Sequence, residues 1–309
     1  MERDIIASPP DSTVRIARVL CAVTFSPSAR DVVAWAASLA ATSDGEVRLF
    51  HALPTADVHA AETSEADCER VLNKLFALAH HLPGRPRISA AVMEGDAASE
   101  ILRHARLVRA DLIVVGMHAQ DGSVSPLVTR LAIDARCPVL VVGARSTPPT
   151  TRDGLRRILV AVNFLPASLA AADYAFALAR AVGAAVTVVH VLPERWDGPS
   201  RPDRNVDETR RLVEGHFRRL LQIAVSTVSA TSRDRSDVVA SGRPCVEIGR
   251  IAASANADLI VMGIDARPTA PDQFGETTSC VMQFARRAVL LVPERLFGAP
   301  RPRRRDRPH

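Results

Sequence analysis

The sequence predicts an α/β chain made of two doubly wound units in tandem, each with a five-stranded parallel sheet. Three observations carry this. The chain repeats itself: Leu20–Pro27 reads against Leu159–Pro166, and His51-Ala-Leu-Pro54 reads against His190-Val-Leu-Pro193, both at an offset of 139 residues. Asp111–Gly116 reads against Asp258–Gly263 at an offset of 147, as do Gly95 with Gly242 and Glu100 with Glu247. A long-period duplication of this kind means two copies of one fold. Second, the repeated segments are short continuous apolar runs, the pattern of strands buried on both faces. Third, these runs alternate with helix-patterned stretches, which points to a parallel sheet covered on both sides.

In the first unit, Val19–Phe25 is an apolar run fit for a buried strand, and Ser26-Pro27-Ser28 supplies a turn and a helix start. Asp31–Ala41 is Ala-rich with helical spacing. Glu46–Leu53 is the next strand, ended by Pro54. A helix is predicted from about Ser64 to His81, closed by Pro83-Gly84, and Ile88–Met93 is a third strand. Asp96–Arg109 is a helix with Ile101, Leu102, Ala105 and Val108 on one side. Leu112–Gly116, the helix Ser125–Ala135 and the strand Val139–Val142 complete the unit. In the second unit the strands fall near Ile158–Phe164, Val186–Val191, Leu259–Gly263 and Val289–Val292. Its third strand is either Ala224–Val228 or Val238–Ala240. The predicted division is a disordered segment 1–16, a first domain 17–143, a linker 144–155 stiffened by Pro148-Pro149, a second domain 156–294 and a disordered Arg-rich tail 295–309. Ligands in such sheets sit beyond the carboxyl ends of the strands where strand order reverses. The residues to watch therefore follow Val23 and Val115 in unit one, and Val162 and Met262 in unit two.

Composition narrows the partners. At 309 residues, two domains of about 150 residues can each bury a core. The net charge of +5 is concentrated in the tail, where Arg301, Arg303, Arg304, Arg305 and Arg307 face only Asp306. The remainder is almost neutral, so a basic nucleic-acid face is not expected. No apolar run reaches the roughly 18 residues of a membrane span, and no basic segment leads into an apolar core at the start, so a cytoplasmic protein is expected. The five cysteines include no C-x-x-C pair, so neither a disulfide framework nor a zinc site is expected, and Cys21 and Cys137 read as small core residues.

Both halves resemble the universal stress protein family. The residues that carry the resemblance are Leu159-Val-Ala-Val-Asn-Phe164, the strand ending His190-Val191, Gly242-Arg-Pro-Cys-Val-Glu-Ile248, Ala257-Asp-Leu-Ile-Val-Met-Gly263 and Cys137-Pro-Val-Leu-Val-Val142. In nucleotide-binding relatives the loop after the fourth strand resembles G-x-x-G, then about nine residues, then G-S/T. There backbone N–H groups and a helix N-terminus hold phosphate. An aspartate after the first strand faces the base and ribose. Unit one departs from this pattern. Gly116 remains, but Ala119 stands for the second glycine, Thr24 stands for the aspartate, and Gly122-Ser123 comes too early. Unit two keeps more of it. Val162 and Val191 flank the predicted pocket, Gly263 is present, and Gly275, Thr277 and Thr278 resemble the closing motif. However, Asn163 replaces the aspartate, Ala266 replaces the second glycine, and Glu276 puts a carboxylate where phosphate would lie. Glu276 is expected to satisfy the positive end of its own helix in place of a ligand.

The resemblance thus implies a non-catalytic stress-response chain with degenerate pockets, acting by conformation or scaffolding on a protein partner. No cofactor is expected. The alternative is a sensor that binds ATP, AMP or another small molecule in domain 2. Val139–Val142 and Val289–Val292 are expected to pair within one molecule as a pseudo-dimer, or between chains. His51 and His190 end equivalent strands without a carboxylate or second histidine at ligand spacing, which reads as a core or cleft-lining role and not as a metal site. No arrangement of nucleophile, base and oxyanion donor is legible.

Overall fold

The computed structural model describes residues 14–54, 65–80, 82, 87–117, 124–149, 154–192, 215–217, 219, 235–265 and 275–296. Unit one runs β1 (Arg18–Ala22), α1 (Ala29–Ala41), β2 (Glu46–Leu53), α2 (Glu65–Ala79), β3 (Arg87–Glu94), α3 (Ala97–Leu107), β4 (Leu112–Met117), α4 (Pro126–Asp134) and β5 (Val139–Gly143). Unit two runs β6 (Arg157–Ala161), α5 (Pro166–Val182), β7 (Ala185–Leu192), β8 (Arg235–Ser241), α6 (Pro244–Ser254), β9 (Leu259–Ile264), α7 (Glu276–Phe284) and β10 (Ala288–Pro293), followed by a 3-10 turn at Glu294–Leu296.

The two parallel halves join edge to edge into one ten-stranded sheet, ordered β3-β2-β1-β4-β5-β10-β9-β6-β7-β8. The junction is antiparallel: Val289, Leu290 and Leu291 pair with Val141, Leu140 and Val139. A last strand with one unpaired edge exposes a row of N–H and C=O groups, and each half supplies what the other lacks. Alternate residues of one strand enter opposite cores, as burial on both faces requires. Val19 and Cys21 join a layer with Trp35, Leu39 and Phe176 beneath α1, α2 and α5. Leu20 and Ala22 join a layer with Phe50, Leu131 and Val281 beneath α3, α4, α6 and α7. Both layers draw on both units, so neither half has a core wholly its own.

Several boundaries differ from expectation. β1 and β6 stop at Ala22 and Ala161, short of Phe25 and Phe164, because the chain bends away. Val23 and Val162 still donate to Phe50 and Val189 across the sheet. The third strand of unit two is Arg235–Ser241, which contains Val238–Ala240, while Ala224–Val228 lies outside the described residues. Ile16, assigned to the leading segment, is buried in the core, with its N–H donating to Ser43 Oγ. Arg295, assigned to the tail, donates across the unit boundary to the carbonyls of Ile133 and Ala135 at the end of α4.

The cysteine reading needs one correction. Cys245 of α6 and Cys280 of α7 form a disulfide across 35 residues of sequence. Parity and spacing could not reveal it, because the pairing depends on two helices lying side by side. Cys21 and Cys137 are free and buried, as expected. Burial raises both thiols, Cys137 to about 12. Among the described residues no helix is long and apolar enough to cross a membrane.

Candidate ligand pockets at the sheet switch points

Strand order reverses between β1 and β4 in unit one and between β6 and β9 in unit two, so these strand ends carry the candidate sites. In unit two the chain leaves β6 through Val162, Asn163 and Phe164. The Val162 carbonyl accepts a hydrogen bond from His190 Nδ1 at 2.7 Å. A carbonyl can only accept, so the proton sits on Nδ1 and Nε2 is the bare nitrogen of the neutral ring. Burial holds the His190 pKa below its ordinary value, and the bond to Val162 only partly opposes this.

Aromatic rings cover that histidine. The Phe164 ring centroid lies 4.8 Å from His190, and Phe217 stacks on it at 4.7 Å, tilted by 21°. Phe164 takes a left-handed backbone conformation, φ 64°, which a bulky residue adopts only when its surroundings impose it. The backbone pays this strain where the chain turns from β6 into α5. Phe217 had no signal in the sequence, because it lies where the two repeats lose their common offset.

Asn163 is occupied with its own turn. Its Oδ1 accepts from the Leu165 N–H at 3.1 Å, and its N–H donates to Ser168 Oγ at 3.2 Å. Ser168 Oγ in turn donates to the Leu165 carbonyl. This is a side chain closing a turn and starting a helix. Val191 packs against the other core layer, under α6 and α7. Gly263 has a packing role that needs no ligand. A Cβ there would stand 2.0 Å from the Ala167 carbonyl oxygen and 2.7 Å from the Ser168 nitrogen. The head of α5 therefore rests directly on β9. Gly275 precedes α7 and is exposed, with no atom near the space a side chain would fill. Glu276 is exposed in the first turn, Thr277 is half-buried and Thr278 is buried. Among the described residues the Glu276 carboxylate accepts no hydrogen bond, so it makes no capping bond to its own helix. Ala266 lies outside the described residues.

Unit one repeats the histidine device. His51 Nδ1 donates to the Val23 carbonyl at 2.7 Å, and the Phe25 ring lies 4.8 Å from His51. The Lys74 ammonium of α2 sits 5.5 Å over the Phe25 ring. Thr24 is exposed and its hydroxyl meets Ser26 Oγ at 3.5 Å. Gly116 lies within β4, opposite Val142, and Ala119 and Gly122-Ser123 lie outside the described residues. Among the described residues, no three His, Cys, Asp or Glu side chains gather as a metal site.

The comparisons agree with this architecture. The chain matches the universal stress protein family model twice, over residues 15–143 and 154–293. It is similar in fold to a universal stress protein from Archaeoglobus fulgidus DSM 4304, with 15% identity and a TM-score of 0.63 over 91% of this chain and 97% of that one. A functionally unknown protein from Pseudomonas aeruginosa PAO1 is similar over 90% of this chain and 92% of its own, with 17% identity and a TM-score of 0.61. Among curated proteins, none matches this sequence. With one family model fitted to both repeats, and a strand order that runs 3-2-1-4-5 in each half, the chain belongs to the universal stress protein family as a tandem of two such units.

Proposed function

We propose that this chain is a non-catalytic stress-response protein that works through conformation or scaffolding, with both switch-point pockets given over to its own side chains. One observation carries the reading: at the end of β6 and β7, Phe217 stacks on His190 and Phe164 packs against it at a tilt, while Asn163 is consumed by its own turn. A nucleotide base entering there would have to displace two rings from a buried histidine. A phosphate at the head of α7 would meet the exposed Glu276 carboxylate, a like charge that opposes it. We place the protein in the cytoplasm, acting on a protein partner.

A second reading, adenine-nucleotide or small-molecule sensing in unit two, draws on one feature. The backbone at Gly275 is open to solvent at the head of a helix, the setting in which anions bind. Calorimetry with AMP, ADP and ATP at millimolar concentration, preceded by mass spectrometry of the denatured protein for copurified ligand, separates the two. The scaffold reading requires no binding by the parent chain. Under the sensor reading the parent binds, and Gly275→Asp abolishes it. Glu276→Ser should raise affinity if carboxylate repulsion is the block. A triphosphate released from the purified protein would refute the scaffold reading.

A further inference from the structure

The seam between the third and fourth helices is held differently in the two units. In unit one, Arg130 of α4 donates to Asp96 Oδ2 at 2.7 Å and to Ser99 Oγ at 2.8 Å, tying α4 to the head of α3. Asp96 is also the N-cap of α3, accepting from the Ser99 N–H. In unit two these positions have been exchanged. Asp96 corresponds to Arg243 and Ala98 to Cys245 at the offset that pairs Gly95 with Gly242. Arg130 and Cys280 are each the fifth residue of a nine-residue helix, α4 and α7. The ion pair is thus lost, and a Cys245–Cys280 bond crosses the same seam.

We propose that Cys245 and Cys280 are a reversible redox pair that locks α7 to α6 in unit two alone. Both residues are half-buried, neither sealed in the core as Cys21 and Cys137 are, and a disulfide open to solvent on one side is within reach of small oxidants and reductants. The other cysteines do not compete inside the fold: Cys21 and Cys137 are buried with raised thiols, and Cys68 stands on α2 of unit one. The oxidant is a hydroperoxide. One thiolate attacks the terminal peroxide oxygen, the O–O bond breaks, and an alcohol or water leaves with a proton, giving a sulfenic acid. The second thiolate attacks that sulfur, the S–O bond breaks, and hydroxide leaves to become water. Two sulfurs are oxidised by two electrons in all, and one peroxide is reduced. A dithiol reverses the step by two thiol–disulfide exchanges. The lock matters because α7 begins at Gly275–Glu276, the helix head that borders the candidate pocket, although the proposal stands whether or not that pocket binds anything.

The test uses the full chain. The protein is reduced with dithiothreitol, exposed to hydrogen peroxide, unfolded and alkylated, and its thiols are counted by intact mass. Peptide mapping and hydrogen exchange follow on both forms. The reduced chain should alkylate at all five cysteines. After peroxide, Cys245 and Cys280 should be protected and recovered as one cross-linked peptide, and dithiothreitol should restore them. Reduction should speed amide exchange in α7 by about tenfold or more while leaving α4 unchanged. Cys68→Ser should behave like the parent, and Cys245→Ser should show the fast exchange under either condition. Five alkylated cysteines after peroxide, cross-linking through Cys68 instead, or equal α7 exchange in the two forms would each overturn the proposal.

Discussion

Replacing His104 by isoleucine should stabilise the protein and remove part of its acid sensitivity. His104 lies on α3 facing the sheet, 3% exposed, and neither ring nitrogen has a hydrogen-bond partner among the described residues. Among the described residues its ring contact is with Phe50, whose centroid is 4.9 Å away. Unit two places Ile251 at the equivalent position, buried in the same layer, so the site tolerates a branched aliphatic. An unsatisfied buried polar group costs about 1–3 kcal/mol, and the aromatic contact returns about 0.5–1.5 kcal/mol. The variant should therefore gain about 1 kcal/mol at pH 8. An acid arm adds to this. Burial chiefly, then the charges of Arg48 and Arg103, hold the His104 pKa below its ordinary value, with Glu100 opposing them. A histidine depressed in the fold leaves stability intact above the unfolded pKa, about 6.5. As the pH falls below that value the unfolded chain takes a proton that the folded chain refuses. Stability is then lost at up to about 1.4 kcal/mol per pH unit until the folded group titrates. Between pH 8 and pH 5 the parent should lose up to about 2 kcal/mol more than the variant. Urea unfolding of both proteins at the two pH values measures this difference. His190, also depressed, is present in both and cancels. Parallel losses in the two proteins, or a variant less stable than the parent at pH 8, would refute the reasoning.

Two further outcomes follow from named contacts. Gly263→Ala should force the head of α5 back by about 1 Å, since the new Cβ would start 2.0 Å from the Ala167 carbonyl oxygen. A cost of about 1–3 kcal/mol is expected, read as a fall in Tm of several degrees, and an unchanged Tm would show that the glycine is not required for packing. Arg295→Ala should remove the donor that crosses from unit two to the carbonyls of Ile133 and Ala135. Because Arg295 is exposed, about 1 kcal/mol is expected, visible as faster amide exchange confined to the last turn of α4.

The fold was legible because duplication and burial left two independent marks on the same segments. A run such as Leu112-Ile-Val-Val-Gly-Met117 is buried on both faces and so carries no polar alternation, and its copy at Leu259–Ile264 repeats the pattern. The edge strand β8 was harder. Arg235-Ser-Asp-Val-Val-Ala-Ser241 has one neighbour and a half-exposed surface, and its local pattern is mixed for that reason. The candidate site was legible only in part. Phe25, Phe164, His51 and His190 stood out as repeated residues, but not as partners, because the contact between ring and strand end depends on where β1 and β6 stop. Gly263 read as a phosphate glycine, whereas its contact is with the head of α5, and a glycine records close approach without recording to what. The disulfide left no mark at all, since helix-to-helix contacts of this kind have no sequence period.

What the two units share and what they do not share divide along physical lines. The shared devices hold backbone in place. Asp111 Oδ2 accepts from the N–H groups of Ala17 and Arg18, and Asp258 Oδ2 accepts from those of Arg156 and Arg157, each fixing the start of its first strand. Gly95 and Gly242 turn at φ 143° and 144°, and each leaves room for a glutamate, Glu100 or Glu247, paired at 2.6 Å with Arg103 or Arg250. His51 and His190 tie the ends of the second strands to the carbonyls after the first. The differences lie in groups that are not needed to set the strand order: Thr24 against Asn163, Lys74 over one phenylalanine against Phe217 over the other histidine, an ion pair against a disulfide. The two halves thus set different side chains at equivalent strand ends over one strand order. What both halves keep is the frame itself, and the one sheet that β5 and β10 make continuous.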